Sequence, residues 1–155
     1  MNYPLEIQID NLHLKIAKIT AIDLFSPSDF TSITHTVTGA ATARGRLHEQ
    51  RLIWRTTCLL TDTESNLFRA IYERSERKRR TFQNPSVLLF DKTQKFVEPP
   101  PRTRSIAPGT AENTVNGVIE YFAIFQVYII NFKQNREGKY ISLSFDMIET
   151  DKTII

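Results

Sequence analysis

The sequence contains a single cysteine, Cys58, so it cannot form an intramolecular disulfide. It does not need one, because a domain of 155 residues buries roughly 70% of the surface that its unfolded chain exposes. A lone thiol is compatible with a reducing compartment. Cys58 lies among apolar neighbours in a predicted strand, and we expect it to be buried and unreactive rather than a nucleophile.

Long hydrophobic runs are also missing. The most apolar stretch, residues 118–132, is interrupted by Glu120, Gln126 and Asn131. The N-terminus has neither the basic region nor the apolar region of a signal peptide. We therefore expect no membrane span, no signal peptide and no membrane partner.

The residue types that carry most enzyme chemistry form no recognisable motif. The histidines His13, His35 and His48 are scattered, and none has a second ligand at a metal-binding spacing. There is no glycine-rich phosphate loop, no G-x-S-x-G elbow and no H-E-x-x-H sequence. The sequence predicts no catalytic residue, no cofactor, no metal and no small-molecule substrate, and it favours a protein that is not an enzyme.

What the chain does have is alternation typical of strands, beginning on both sides of Asp10-Asn11. The alternating apolar residues are Leu5, Ile7, Ile9, Leu12, Leu14 and Ile16. A two-residue turn at Asp10-Asn11 would pair Leu5 with Ile16 and would place Glu6 opposite Lys15 on the solvent face. Both faces agree on this register, which predicts a hairpin near residues 4–19.

The period changes from two to 3.6 after Thr61. The sequence Thr61-Asp62-Thr63-Glu64 fits a capping box, in which the first hydroxyl and the last carboxylate satisfy free backbone N–H groups. Apolar residues then recur at i,i+4 spacing, as in Phe68 and Tyr72, and charged residues fill the remaining positions. These signals predict one amphipathic helix at about 62–79.

Further strands and two loops complete the prediction. The predicted strands are residues 33–37, 51–60, 86–90, 118–132 and 140–148, of which the last two have the strongest patterns. Residues 118–132 are apolar on both faces, which predicts a strand covered on both sides. Residues 39–50 are predicted to be a connecting or projecting loop. Residues 92–117 are predicted to be a long exposed loop with few core residues, either a disordered connector or an arm that orders against a neighbouring subunit.

Together these elements predict one domain over residues 1–155. Its fold class is mainly β (α+β), an antiparallel β-barrel or sandwich with a single helix. The apolar outward face of residues 118–132 would be covered partly by the helix and partly by a partner, or by the helix alone.

A basic run at the end of the helix is the most distinctive local feature in a chain of net charge +3. It consists of Arg74, Arg77, Lys78, Arg79 and Arg80. The run can be a solvated helix end stabilised by the dipole, a contact for acidic residues of another subunit, or a phosphate-binding patch. The nearby aromatic residues Phe68, Tyr72 and Phe82 fit helix packing better than a platform for stacking bases.

A resemblance is carried by the strand Leu52-Ile53-Trp54-Arg55-Thr56, which runs into Thr61-Asp62-Thr63-Glu64 and the helix Leu67-Phe68-Arg69-Ala70. The segment from Pro85-Ser86-Val87-Leu88-Leu89-Phe90-Asp91 to Pro101-Arg102-Thr103-Arg104 adds to it. In this layout the chain resembles the β-barrel-plus-helix modules of phage tail proteins, which include tail tube, tail terminator, distal tail and baseplate hub subunits. The likeness spans most of the chain.

The resemblance implies a structural subunit of a phage virion tail or baseplate, assembled in the host cytoplasm into rings through strand edges and long loops. The implied partners are copies of the chain and neighbouring tail proteins, with passing contact with DNA. The candidate contacts to a subunit or to nucleic acid are Arg74, Arg77, Lys78, Arg79, Arg80, Pro99, Pro100, Pro101, Arg102 and Arg104. The alternative is a small β-barrel nucleic-acid-binding module that uses Arg77–Arg80.

Overall fold

A computed structural model describes residues 3–25, 31–35, 41–45, 52–98 and 104–150, with the backbone alone for 31–35 and 41–45. The strands are β1 (Leu5–Ile9), β2 (Leu12–Ile16), β3 (Lys18–Phe25), β4 (Thr31–His35), β5 (Ala41–Gly45), β6 (Ile53–Leu60), β7 (Val87–Glu98), β8 (Ser105–Ile106), β9 (Asn113–Val115), β10 (Val118–Glu137) and β11 (Tyr140–Glu149), and the helix α1 is Asp62–Arg80. The predicted fold class, mainly antiparallel β with one helix, is confirmed.

The main sheet curls into a half-barrel. Its strand order is β2-β1-β7-β10-β11-β6-β3, and β8 and β9 also pair with β10. The edge strands β2 and β3 are consecutive in the chain and are joined through Ala17 alone. Because one residue cannot span an open sheet of this width, the two edges must converge at that point.

The predicted hairpin β1–β2 has the predicted register. Leu5 lies opposite Ile16 and Glu6 opposite Lys15. The solvent-facing position given to Glu6 is wrong, because this side chain is buried. Its carboxylate contacts Lys92 Nζ at 3.1 Å and His13 Nε2 at 3.0 Å. The Lys92 ammonium and the His13 ring nitrogen therefore offset the free-energy cost of burying this carboxylate.

Helix α1 begins at the predicted cap. Glu64 N–H donates to Thr61 Oγ1 at 3.3 Å, and Thr61 N–H donates to Glu64 Oε1 at 3.1 Å. The buried side of α1 packs inside the half-barrel, where the Phe68 ring lies 4.9 Å from the Phe145 ring. No helix in the described part of the chain is long and apolar enough to cross a lipid bilayer.

The core side of β10 alternates as the sequence predicted, with Tyr121, Phe125 and Ile129 buried. At Asn131, whose φ is 54°, the register with β11 shifts by a bulge. The bulge turns Phe132 toward α1, where its ring lies 5.8 Å from that of Phe68. A positive φ and an extra residue are the usual means by which a strand re-aims its side chains.

Two expectations about β10 and β11 are corrected by this arrangement. The helix packs on the core side of the sheet, so it does not cover the outward face of β10, where Tyr128 is 41% exposed. The connection between the two strands is shorter than predicted, because β10 continues to Glu137 and pairs it with Tyr140.

The predicted loops are shorter than the sequence suggested. Residues 41–45, placed in the loop 39–50, form β5, which pairs with β4. Residues 92–98, placed in the loop 92–117, extend β7 to Glu98, and β8 and β9 lie further along the same segment. Within this segment Ala107 is fully buried, and Phe96 and Ile106 are partly buried against the core. Pairing with distant β10 outweighs the weak local pattern.

Candidate interaction surface

The basic run is divided between two environments. Lys78 Nζ donates to Asp10 Oδ1 at 2.6 Å, and Arg74 Nη1 donates to Asp10 Oδ2 at 3.0 Å. Asp10 occupies the turn of the β1–β2 hairpin, so these two residues fasten the end of the helix to that turn. The hydrogen bond from Lys78, followed by that from Arg74, holds the pKa of the Asp10 carboxyl below its ordinary value.

The remaining members of the run face outward. Arg79 Nη2 donates to Glu76 Oε2 at 2.7 Å, one helical turn earlier. This bond lowers the pKa of Glu76 and raises that of Arg79. Arg77 and Arg80 are exposed on a shallow groove of about 460 Å³, which is also lined by Tyr72, Glu73, Glu76 and Thr81. The groove therefore combines an aromatic wall with charges of both signs.

Phe82 lies directly after the helix and is 98% exposed. Its φ of 60° is in the left-handed region, where side chains other than glycine are disfavoured. The Phe82 N–H donates to Arg79 O at 3.4 Å and the Gln83 N–H to Lys78 O at 2.9 Å, which is the Schellman pattern of a helix end. The expectation that Phe82 packs on the helix is wrong, although Phe68 and Tyr72 do pack there.

Arg104 is not an exposed contact residue. Its side chain is buried between two acidic residues, donating to Glu98 Oε1 at 2.5 Å and to Glu149 Oε2 at 3.0 Å. Burial alone would lower the pKa of Arg104, but the hydrogen bonds with Glu149 and Glu98 raise it. Arg104 therefore links β7 to β11 inside the fold. The sequence pattern, which placed Arg104 in an exposed loop, did not indicate this role.

The other predicted contact residues, Pro99, Pro100, Pro101 and Arg102, lie outside the described residues. Beyond the basic run, the backbone forms a second feature that the sequence pattern missed. Strands β4 and β5 make a two-stranded sheet of their own, with Thr31 opposite Gly45 and His35 opposite Ala41. This hairpin stands in the chain between β3 and β6, which are paired with each other.

Groups that could perform chemistry are sparse in the described ranges. No three histidine, cysteine or carboxylate side chains there lie together as metal ligands. Cys58 is buried as expected, and burial, with a smaller effect of Glu64, raises the pKa of its thiol to about 12. At neutral pH this thiol carries almost no nucleophilic thiolate.

Comparison with protein-family models gives no match, and comparison with curated proteins gives none. Among solved structures, the chain matches one described as the virion of a native gene transfer agent (GTA) particle. The TM-score is 0.49 and the sequence identity is 12%, over 98% of this chain and 95% of that chain.

Proposed function

We propose that this chain is a non-enzymatic structural subunit of a phage-type virion, located in the tail or baseplate, that assembles into rings. Its strand edges and its extended segments supply the contacts between subunits. The main support is the β4–β5 hairpin, which forms a separate sheet while the strands on either side of it in the sequence, β3 and β6, pair with each other.

The low stability expected of an isolated two-stranded sheet is the reason why the hairpin supports assembly. A two-stranded sheet is marginally stable by itself in water and usually needs a third strand or a packed face. In the chain this hairpin lies between β3 and β6, which both belong to the half-barrel. In the proposed role, a strand or an apolar face of a neighbouring subunit packs on this two-stranded sheet.

The edges of the main sheet give a second kind of support. Strands β2 and β3 end the strand order, and β3 is the longer edge with eight residues, Lys18–Phe25. Edge strands carry backbone N–H and C=O groups that can pair with another chain. Such pairing joins identical subunits without requiring any catalytic or ligand-binding group.

The alternative of a nucleic-acid-binding module is less well supported by the geometry of α1. Lys78 is engaged with Asp10 and Arg79 with Glu76, which lowers the number of cations available to phosphates. Glu73 and Glu76 also line the groove next to Arg77 and Arg80. Carboxylates in this position would repel a phosphate backbone.

The proposal is tested by following the chain in particles purified from cells that produce it. Residues 31–45 would be replaced by a short glycine-serine linker, and Lys139→Ala, in the exposed turn after β10, serves as the control. We expect the linker variant to keep its circular dichroism spectrum but to be lost from the particles, whereas the control is retained. Absence of the wild-type chain from purified particles would refute the proposal.

A further inference from the structure

The outer edge of β3 is open in the part of the chain that the structure describes. β3 pairs with β6 on one side and ends the strand order of the sheet on the other. A cleft of about 250 Å³, lined by Ile22, Leu24, Thr93 and Gln94, separates this edge from β7. The backbone N–H and C=O groups of such an edge can pair with a strand of another chain.

Two features of β3 oppose pairing with a second copy of β3. The register with β6 shifts at Thr20, and a bulge of this kind interrupts the regular edge that strand pairing needs. The regular stretch that remains is Ala21–Phe25. Antiparallel pairing of this whole stretch with its own copy places Asp23 opposite Asp23, and like charges directly opposite each other are destabilising. The edge therefore favours a strand that carries a positive charge.

The carboxylate of Asp23 is available to such a charge. Asp23 is exposed on the outward face of β3, opposite Arg55 of β6. The guanidinium of Arg55 lies 3.9 Å from the carboxylate of Asp146 and 5.0 Å from the centre of the Phe25 ring. Within the described ranges no salt bridge forms to Asp23 itself. A cation on an added strand would therefore meet an unpaired carboxylate.

Strand β5 has the complementary pattern. Arg44 is the single charged residue of this strand, whose sequence is Ala41-Thr42-Ala43-Arg44-Gly45. An antiparallel register that places Arg44 opposite Asp23 also places Ala43 opposite Leu24, which faces the core. The alternating small residues of β5 then continue the inner face of β3, and the cation continues its outward face.

We propose that β5 of one copy of this chain pairs antiparallel with the edge of β3 in a second copy, with Arg44 opposite Asp23. The same chain is a poor source of this strand. Because β4 and β5 are antiparallel, the register makes β4 parallel to β3, and only residues 26–30 would join these two strands. A connection between parallel strands needs about a dozen residues or more.

The contact deepens the proposed function, on which it rests for the assembly in which it occurs. It gives a partner to the β4–β5 hairpin, which pairs with no strand of the main sheet in the described part of the chain. The docked hairpin extends the sheet past β3 and covers the cleft beside Ile22 and Leu24. Since the hairpin and the β3 edge are different surfaces, the contact is heterologous and can continue from copy to copy.

The first test follows the purified full chain in sedimentation velocity over a range of concentrations. Asp23→Arg and Arg44→Asp each place like charges opposite each other, and each should raise the dissociation constant by about tenfold. The chain with both changes restores opposite charges and should associate like the wild type. Glu137→Arg and Lys139→Asp change exposed charges at the end of the β10–β11 hairpin and are the matched controls. A double variant as weak as the single variants would overturn the inference.

Cysteine cross-linking identifies which chain supplies the strand. Residues directly opposite in antiparallel strands have Cα atoms about 4.5–5.5 Å apart, which is within disulfide range. Oxidation of a mixture of Asp23→Cys and Arg44→Cys chains should give a disulfide-linked dimer with one chain of each kind. Cys58 is buried and should not compete. A mixture of Asp23→Cys and Lys139→Cys chains is the control and should give no such dimer.

Other products of the cross-linking contradict the inference. When both cysteines are placed in one chain, an intrachain disulfide in a monomer would assign β5 to the β3 edge of its own chain. Efficient linking of two Asp23→Cys chains to each other would show that β3 pairs with itself.

Failure of this inference and failure of the proposed function have different signatures. A wild-type chain that stays monomeric at every concentration refutes the strand contact, while the presence of the chain in virions keeps its own test. Association through β5 and β3 in a chain that is absent from purified particles refutes the proposed function alone.

Discussion

The indole Nε1 of Trp54 donates a hydrogen bond to Oδ2 of Asp91 over 3.0 Å, with both side chains fully buried. Trp54 lies on β6 and Asp91 on β7, and β10 and β11 separate these strands in the sheet. The bond therefore crosses the interior of the half-barrel. The other oxygen of Asp91 accepts from the backbone N–H and the hydroxyl of Thr93, which compensates the burial of the carboxylate.

Replacing Asp91 by alanine should destabilise the fold. The indole N–H of Trp54 would remain in the core without its acceptor, and a cavity would form beside it. We expect a loss of about 2–4 kcal/mol in the free energy of unfolding, measured by urea denaturation followed by circular dichroism. The exposed change Asp23→Ala is the comparison, and an equal effect in both variants would show that the buried bond is unimportant.

Arg104→Met should be much more destabilising than Arg77→Met. The first change removes a guanidinium from between the buried carboxylates of Glu98 and Glu149, whereas the second alters an exposed side chain. The expected loss is about 3–5 kcal/mol for Arg104→Met and under about 0.5 kcal/mol for Arg77→Met. Similar thermal and urea midpoints for the two variants would contradict the burial of Arg104.

Asp10→Asn should lower stability at neutral pH, and its effect should disappear in acid. Asparagine tolerates the φ of 51° at this position, so the change mainly removes the charge facing Lys78 and Arg74. The folded-state pKa of Asp10 is below its ordinary value of 3.8, so its contribution is present above that pH and is lost as the pH falls through the lowered pKa.

Thermal midpoints of the wild type and Asp10→Asn between pH 7 and pH 2 measure this effect. The difference between the two should be constant from pH 7 to about pH 5 and should close in stronger acid. A difference that persists unchanged at the lowest pH would assign the effect to the turn conformation rather than to the charge.

Cys58 should react slowly with a thiol reagent such as DTNB in the folded chain. Its pKa of about 12, compared with 9.0 for an ordinary thiol, lowers the thiolate fraction by about a thousandfold. The rate at pH 8 should rise to that of a free thiol when urea unfolds the protein. Rapid labelling of the native protein would show that the strand β6 opens readily or that the thiol is accessible.

Sequence alone determined the features that depend on neighbours in the chain. Alternation around Asp10-Asn11 determined the register of β1 and β2, because a shift by one residue would expose every apolar side chain of the hairpin. The sequence from Thr61 to Glu64 determined where α1 begins, because both capping bonds form within one helical turn.

Only the tertiary structure decided the roles of residues whose partners are distant in the sequence. The sequence pattern placed Arg104 in an exposed loop, but in the fold its guanidinium contacts the carboxylate of Glu149. The pattern placed Glu6 on the solvent face, but its carboxylate contacts Lys92. Phe82 was expected to pack on the helix like Phe68 and Tyr72, but the backbone at the end of α1 directs its side chain into solvent. A local pattern indicates the hydrophobic period of a segment and therefore whether it is a strand or a helix. The burial of a residue depends on which other segments pack against it, and those contacts form only when the sheet curls around the helix.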